Sequence, residues 1–100
     1  MNDNLEHISI EFHNRAHKIF FSIYQDFERA SKNIDRKKEE YRFQQLRQKY
    51  VNTLHQQMEI ISKDLLQKNQ DHPQVKQLDQ NLNHFTKNYQ HEFIQKIRAD

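Results

Sequence analysis

Apolar residues recur along positions 5–34 at steps of three or four. This spacing keeps them on one side of an α-helix for about eight turns. The local repeat is eleven residues, which favours straight or slightly right-handed helix packing over a left-handed coiled coil. The rest of the chain is therefore expected to cover this stripe, which consists of Leu5, Ile8, Phe12, Ala16, Ile19, Ile23, Phe27, Ala30 and Ile34.

The stripe does not continue in phase beyond Ile34. The next regular apolar position is Phe43, nine residues later, which lies about half a turn out of register at roughly 100° per residue. A turn between residues 33 and 38, with Asn33 as a C-cap or Asp35 as an N-cap, resolves this conflict. The alternative is an unbroken helix whose two halves serve two molecules in a swapped dimer.

Two further helical stripes follow this break, separated by residues 69–73. In that segment Asn69 suits a left-handed C-terminal position, Asp71 is a possible cap, and Pro73 suits a first helical turn. The second stripe is Phe43, Leu46, Tyr50, Leu54, Met58, Ile61 and Leu65, and the third is Val75, Leu78, Leu82, Phe85, Tyr89, Phe93 and Ile97.

These stripes predict an all-α fold. We expect an elongated antiparallel up-down-up three-helix bundle with helices at about 4–33, 36–68 and 72–98, in a single domain of residues 1–100. The chain has no Gly and one Pro, whereas a sheet protein of this length needs several tight turns. A hydrophobic content of 34% suits thin helices that each bury one face.

The composition also excludes several kinds of chemistry. Without Gly or Cys, the chain has no Gly-rich phosphate loop, disulfide, thiol nucleophile or Cys-based zinc site. Its polar start is unlike a signal peptide, and its longest run of aliphatic or aromatic residues, 19–21, is too short to cross a membrane. A cytoplasmic protein without membrane contact is expected.

Histidines form the first candidate site. His13 and His17 are four residues apart on the first helix, and His55 and Glu59 have the same spacing on the second. Such pairs chelate a metal when they face one another, and the predicted turns bring both pairs to one level of the bundle, near His84. Both pairs lie on the flanks of their stripes and His84 points away from the core, so the alternative is histidines that partly cover the seams.

A basic region is the second candidate. Between residues 29 and 49, eight Lys and Arg residues outnumber three acidic ones, and clustered cations can neutralise nucleic-acid phosphates. No helix-turn-helix or zinc-finger pattern accompanies them, so a solvated helix end is the alternative. The candidate nucleic-acid-binding residues are Arg29, Lys32, Arg36, Lys37, Lys38 and Arg42.

A second apolar edge on the first helix is the third candidate. Ile10, Phe20, Phe21 and Tyr24 lie off the main stripe, so this helix is apolar over more than half of its circumference, which is more than a bundle helix needs. Scattered exposed hydrophobic residues are common, but a contiguous aromatic patch usually marks a contact surface. The candidate partner-binding residues are Ile10, His17, Phe21 and Tyr24.

No nucleophile, base or pocket motif surrounds the Ser and Thr residues, so we expect neither an enzyme nor a cofactor or small-molecule substrate. The leading hypothesis is a small non-enzymatic protein that acts by protein–protein interaction, as an adaptor or as a self-associating homodimer. Nucleic-acid binding through the basic region is the alternative. Metal binding through His13, His17, His55 and Glu59 is the second alternative.

Overall fold

The computed structural model describes the backbone of residues 3–98 and the side chains of residues 5–98. It contains three α-helices, α1 (Asp3–Ser31), α2 (Glu40–Lys68) and α3 (Val75–Arg98). Every helix packs against the other two in a rod of 56 × 18 × 18 Å. The predicted elongated three-helix bundle is confirmed, and no strand occurs within residues 3–98.

The first turn lies where the break in phase predicts it. α1 ends at Ser31 and α2 begins at Glu40, so the linker is longer than predicted and the unbroken helix of a swapped dimer is not formed. α2 therefore begins four residues later than position 36. This difference arises because residues 36–38 form a separate turn before the helix starts.

Asp35 stabilises that separate turn. Its Oδ1 accepts hydrogen bonds from the backbone N–H groups of Lys37, at 3.0 Å, and Lys38, at 3.2 Å. In return, Glu39 Oε1 accepts from the N–H of Asp35 at 3.3 Å. Asp35 is thus a cap as predicted, in an arrangement resembling a capping box, but it caps the linker turn rather than α2.

The second linker departs from the predicted caps. Asn69 follows α2 with φ of −120°, so it is not left-handed, and its side-chain amide donates to the Leu65 carbonyl at 2.7 Å. His72 Nδ1 accepts from the N–H of Gln74 at 2.9 Å, while Asp71 is exposed. The imidazole therefore takes the capping role expected of Asp71, and α3 begins at Val75 instead of position 72.

One core runs the length of the rod. Every buried apolar residue within positions 5–98 belongs to one of the three predicted stripes. Ala30, which the first stripe predicts to face the core near the end of the helix, is exposed instead. The buried hydroxyls of Ser62 and Thr86 lie 3.3 Å apart and hydrogen-bond to each other, so neither is left unsatisfied. The buried apolar residues are Ile8, Phe12, Ala16, Ile23, Phe27, Phe43, Leu54, Met58, Ile61, Leu65, Leu78, Leu82, Tyr89, Phe93 and Ile97.

The cap at Asp35 can be tested by equilibrium unfolding in urea. We expect Asp35→Ala to lower the free energy of unfolding by about 1 kcal/mol, because two backbone N–H groups lose their acceptor. Asp71→Ala is the matched control, and this exposed residue should change stability by less than about 0.5 kcal/mol. Equal losses from the two variants would show that the carboxylate of Asp35 adds nothing specific.

Candidate protein-interaction surface on α1

The four predicted partner-binding residues share one side of α1, which we call the α1 outer face: Ile10, His17, Phe21 and Tyr24. At about 100° per residue they fall within an arc of roughly 60°. Ile10 is 50% exposed and Phe21 is 60% exposed, and His17 is also exposed. Two large hydrophobic side chains therefore face solvent on this surface, about 16 Å apart along the helix axis.

The other exposed large hydrophobic residues in the described chain lie elsewhere. Tyr41 and Ile60 are both on α2 and are separated by more than five helical turns. Neither is accompanied by a second exposed aromatic or aliphatic side chain of comparable size. Among the described residues, the α1 outer face is thus the surface on which two large exposed apolar side chains share one side of a helix.

An open groove runs beside this face, between α1 and α3. α1 packs less closely on α3 than on α2, and aromatic rings fill much of the space between α1 and α3. The rim of the groove on α3 carries an acidic residue, Glu92, and a basic residue, Lys96. The groove is lined by His17, Phe20, Phe21, Tyr89, Glu92, Gln95 and Lys96.

Two of the off-stripe apolar residues reach into this seam. The ring of Phe20 meets Phe93 edge-on at a centroid distance of 5.5 Å, and Tyr24 meets the same ring at 6.5 Å. Lys96 Nζ also lies 4.8 Å from the centre of the Tyr24 ring, a cation–π contact. Tyr24 is therefore half-buried and offers only part of its surface to a partner, unlike Ile10 and Phe21.

A polar contact joins the two helices next to the groove. His13 Nδ1 lies 2.8 Å from the hydroxyl oxygen of Tyr89, within hydrogen-bond distance, and the His13 ring contacts the tilted ring of Phe85 at a centroid distance of 4.5 Å. The ring of His17, one turn further along α1, meets Tyr89 edge-on at 5.4 Å. His13 thus supports the position of Tyr89, while His17 remains on the outer face.

The contacts around His13 and Tyr89 shift the pKa values of both residues. Burial lowers the pKa of His13 below its ordinary 6.5, and the neighbouring His17 lowers it further. Burial raises the pKa of Tyr89, and the Glu92 carboxylate adds to the rise. The folded protein therefore binds fewer protons at His13 than the unfolded chain does, so stability falls as the pH drops from 6.5 through the lower folded-state value.

The structure does not bring the predicted metal ligands together. His13 and His17 line a groove between α1 and α3, whereas His55 and Glu59 line one between α2 and α3. His55 Nε2 lies 3.7 Å from Glu59 Oε1, and His84 is exposed. Among the described side chains, no group of three or more His, Cys, Asp or Glu residues is suitably placed to hold a metal ion.

The predicted nucleic-acid-binding residues gather at the end of the rod that carries the first linker. Three of the six have partners within the chain: Arg29 pairs with Asp26 at 3.1 Å and Arg42 with Glu39 at 2.8 Å. Arg36 lies over the ring of Phe43, 4.4 Å from its centre. The other three, Lys32, Lys37 and Lys38, are exposed.

Glu92 and Lys96 complete the groove, and the sequence pattern did not single them out. They flank the core residue Phe93 on α3 and are four residues apart, which places them on one side of that helix. Their spacing was visible in the sequence, but which neighbour they face depends on how α3 is placed beside α1. The observed contacts between α1 and α3, such as that between Tyr24 and Lys96, show that they face α1.

Comparisons with known proteins give no relative from which to transfer a function. No protein-family model, curated protein or solved structure matches the chain. None of the helices in the described range has the length and apolar character needed to cross a membrane. The function must therefore be argued from the surface of this chain.

The interaction between the two histidines can be measured by NMR titration of their imidazole signals. We expect His17→Gln to raise the pKa of His13, because the substitution removes a neighbouring positive charge that opposes protonation. The His13 pKa should return only part of the way to its ordinary value, because burial is the larger cause of its decrease. His7→Gln, at an exposed position six residues away, is the control and should leave the His13 pKa unchanged. An equal His13 pKa in all three proteins would contradict the contribution of His17.

Proposed function

We propose that this protein is a non-enzymatic binding module that contacts another protein chain through the α1 outer face. The observation that supports this proposal best is the exposure of Ile10 and Phe21 on the side of α1 that carries His17 and Tyr24. Grouped exposed hydrophobic side chains favour association, because each gains about 25 cal/mol for every Å² of apolar surface removed from water.

The groove beside this face suits a protein partner. Aromatic side chains supply the strongest contacts in many protein interfaces, and charged groups usually form the rim around them. Phe21 and the partly exposed Tyr24 ring correspond to the first feature, and Glu92 and Lys96 to the second. The groove is open along the rod, which favours an extended surface such as a helix over a small enclosed ligand.

Site-specific photocrosslinking in living cells tests this proposal. We expect a benzoylphenylalanine probe at Phe21 to give discrete crosslinked products, because a bound protein would lie within reach of the ring. Adding Ile10→Glu to the same chain should remove most of these products, since a charge would enter the apolar contact. The products would be detected by their increased mass on denaturing gels.

The matched control places the same probe at Tyr41, an exposed aromatic residue on α2. This position should not yield the products formed from Phe21. The proposal fails if Phe21 gives no discrete product, or if Tyr41 gives the same ones. Circular dichroism of each variant would verify that the helices remain folded.

Nucleic-acid binding by the linker end is the second candidate, favoured by the exposure of Lys32, Lys37 and Lys38. It predicts that the protein retards DNA at low salt and that its affinity falls steeply as salt rises. Replacing all three lysines by Ala should then reduce the slope of log affinity against log salt by about 2 to 3.

The control for that experiment replaces three exposed lysines outside the linker, Lys63, Lys76 and Lys87. If the linker end is the binding site, this control keeps a slope close to that of the unmodified chain. Retardation that does not respond to salt, or that both triple variants lose equally, would exclude a site at the linker. A protein that does not retard DNA at low salt would exclude this second candidate altogether.

A further inference from the structure

We propose that the α1 outer face binds a second copy of this chain, with the two α1 helices antiparallel and related by a two-fold axis. This inference rests on the proposed function, because it names the partner of the same surface. It follows from the order of side chains along α1, which is self-complementary when the helix is reversed.

The two exposed hydrophobic residues stand at opposite ends of the contact. In an antiparallel pair, Ile10 of each copy lies opposite Phe21 of the other, so both apolar contacts form at once. The same register places Asn14 opposite His17 at the centre and brings His7 to the level of Tyr24 at each end. Asn14, His17 and His7 are exposed in the single chain, so the pairing requires no rearrangement of the core.

Charges beside the face favour the same register. Glu11 and Lys18 lie along its edge on the side toward α2, and both are exposed. Glu11 Oε2 also lies 3.6 Å from Arg15 Nη1, in a partly exposed ion pair that leaves the carboxylate accessible to a second cation. A two-fold axis perpendicular to the helices brings this edge against its own copy, so Glu11 of one chain approaches Lys18 of the other. Two such opposite-charge contacts form across the symmetric pair, and antiparallel helix dipoles add to the attraction.

A parallel pair lacks these advantages. It would place Ile10 against Ile10 and His17 against His17, and it would bring the two Glu6 side chains, which share the direction of Tyr24 on α1, to the same level. The positive ends of two helix dipoles would also meet. The arrangement of charges therefore selects the antiparallel pair.

The area available limits the affinity. The stretch from His7 to Tyr24 is roughly 26 Å long, and a single pair of helices of this length lies at the small end of specific interfaces. We expect a reversible dimer with a dissociation constant of about micromolar or above, so that association depends on concentration. Sedimentation equilibrium over a wide concentration range measures this constant.

Cysteine crosslinking distinguishes the orientation, because the chain has no Cys of its own. In the antiparallel pair the two Asn14 positions are about 5 Å apart along the axis, whereas the two Glu28 positions are about 37 Å apart. We expect Asn14→Cys to form a disulfide-linked dimer under mild oxidation and Glu28→Cys to remain monomeric. A parallel pair would crosslink both variants, which would overturn the proposed orientation.

Charge exchange tests the predicted register. Glu11→Lys should weaken dimerisation, and adding Lys18→Glu in the same chain should restore it, because the exchanged pair is again opposite in charge. Phe21→Glu should weaken dimerisation at least about tenfold, whereas Tyr41→Glu, the matched control on α2, should leave it unchanged. Failure of Lys18→Glu to rescue Glu11→Lys would contradict the register.

The photocrosslinking experiment separates this inference from the proposed function. Crosslinked products with twice the mass of the chain support binding of a second copy. In that case sedimentation equilibrium should also detect a dimer. A chain that stays monomeric at all concentrations while Phe21 crosslinks to a protein of different mass overturns the self-association and keeps the binding surface. Absence of any product from Phe21 contradicts both.

Discussion

The rest of the structure depends on how α1 distributes its apolar side chains between the core and the surface. Phe12 and Ala16 are fully buried on the core side, where α2 and α3 meet α1. Phe20 extends this contact into the seam with α3. Two neighbouring helices cannot surround a third one, so the apolar residues that lie furthest around from Phe12 remain in water. Ile10 and Phe21 are exposed for this geometric reason.

The core could be predicted from the sequence because helical periodicity alone decides which side of each helix is buried. The linkers were harder, since several side chains compete for the same few backbone N–H groups. Asp35 could cap either the linker turn or α2, and both choices satisfy the same local preference. At the second linker, His72 takes the position that Asp71 would normally be expected to fill. Small differences in backbone path decide such cases.

The candidate sites depended on information that periodicity does not contain. A helical wheel gives the direction of His13 and His55 from their own stripes, but a three-helix bundle can place α3 on either flank of α1. The observed placement sends His13 to the α1–α3 seam and His55 to the α2–α3 seam, which separates the expected metal ligands. The same placement brings Tyr24 against Lys96, so a residue expected at the surface became half-buried.

The polar residues within the α1 outer face bear on how strongly it can bind. Asn14 and His17 lie between Ile10 and Phe21 along the helix, so the apolar surface is interrupted rather than continuous. In paired helices, a polar residue at the contact reduces stability but restricts the registers that are allowed, because a shifted partner would leave it without a match. A face built only from Phe and Ile would associate more strongly and less selectively. The interruption by Asn14 and His17 therefore favours reversible, register-specific contact over permanent assembly.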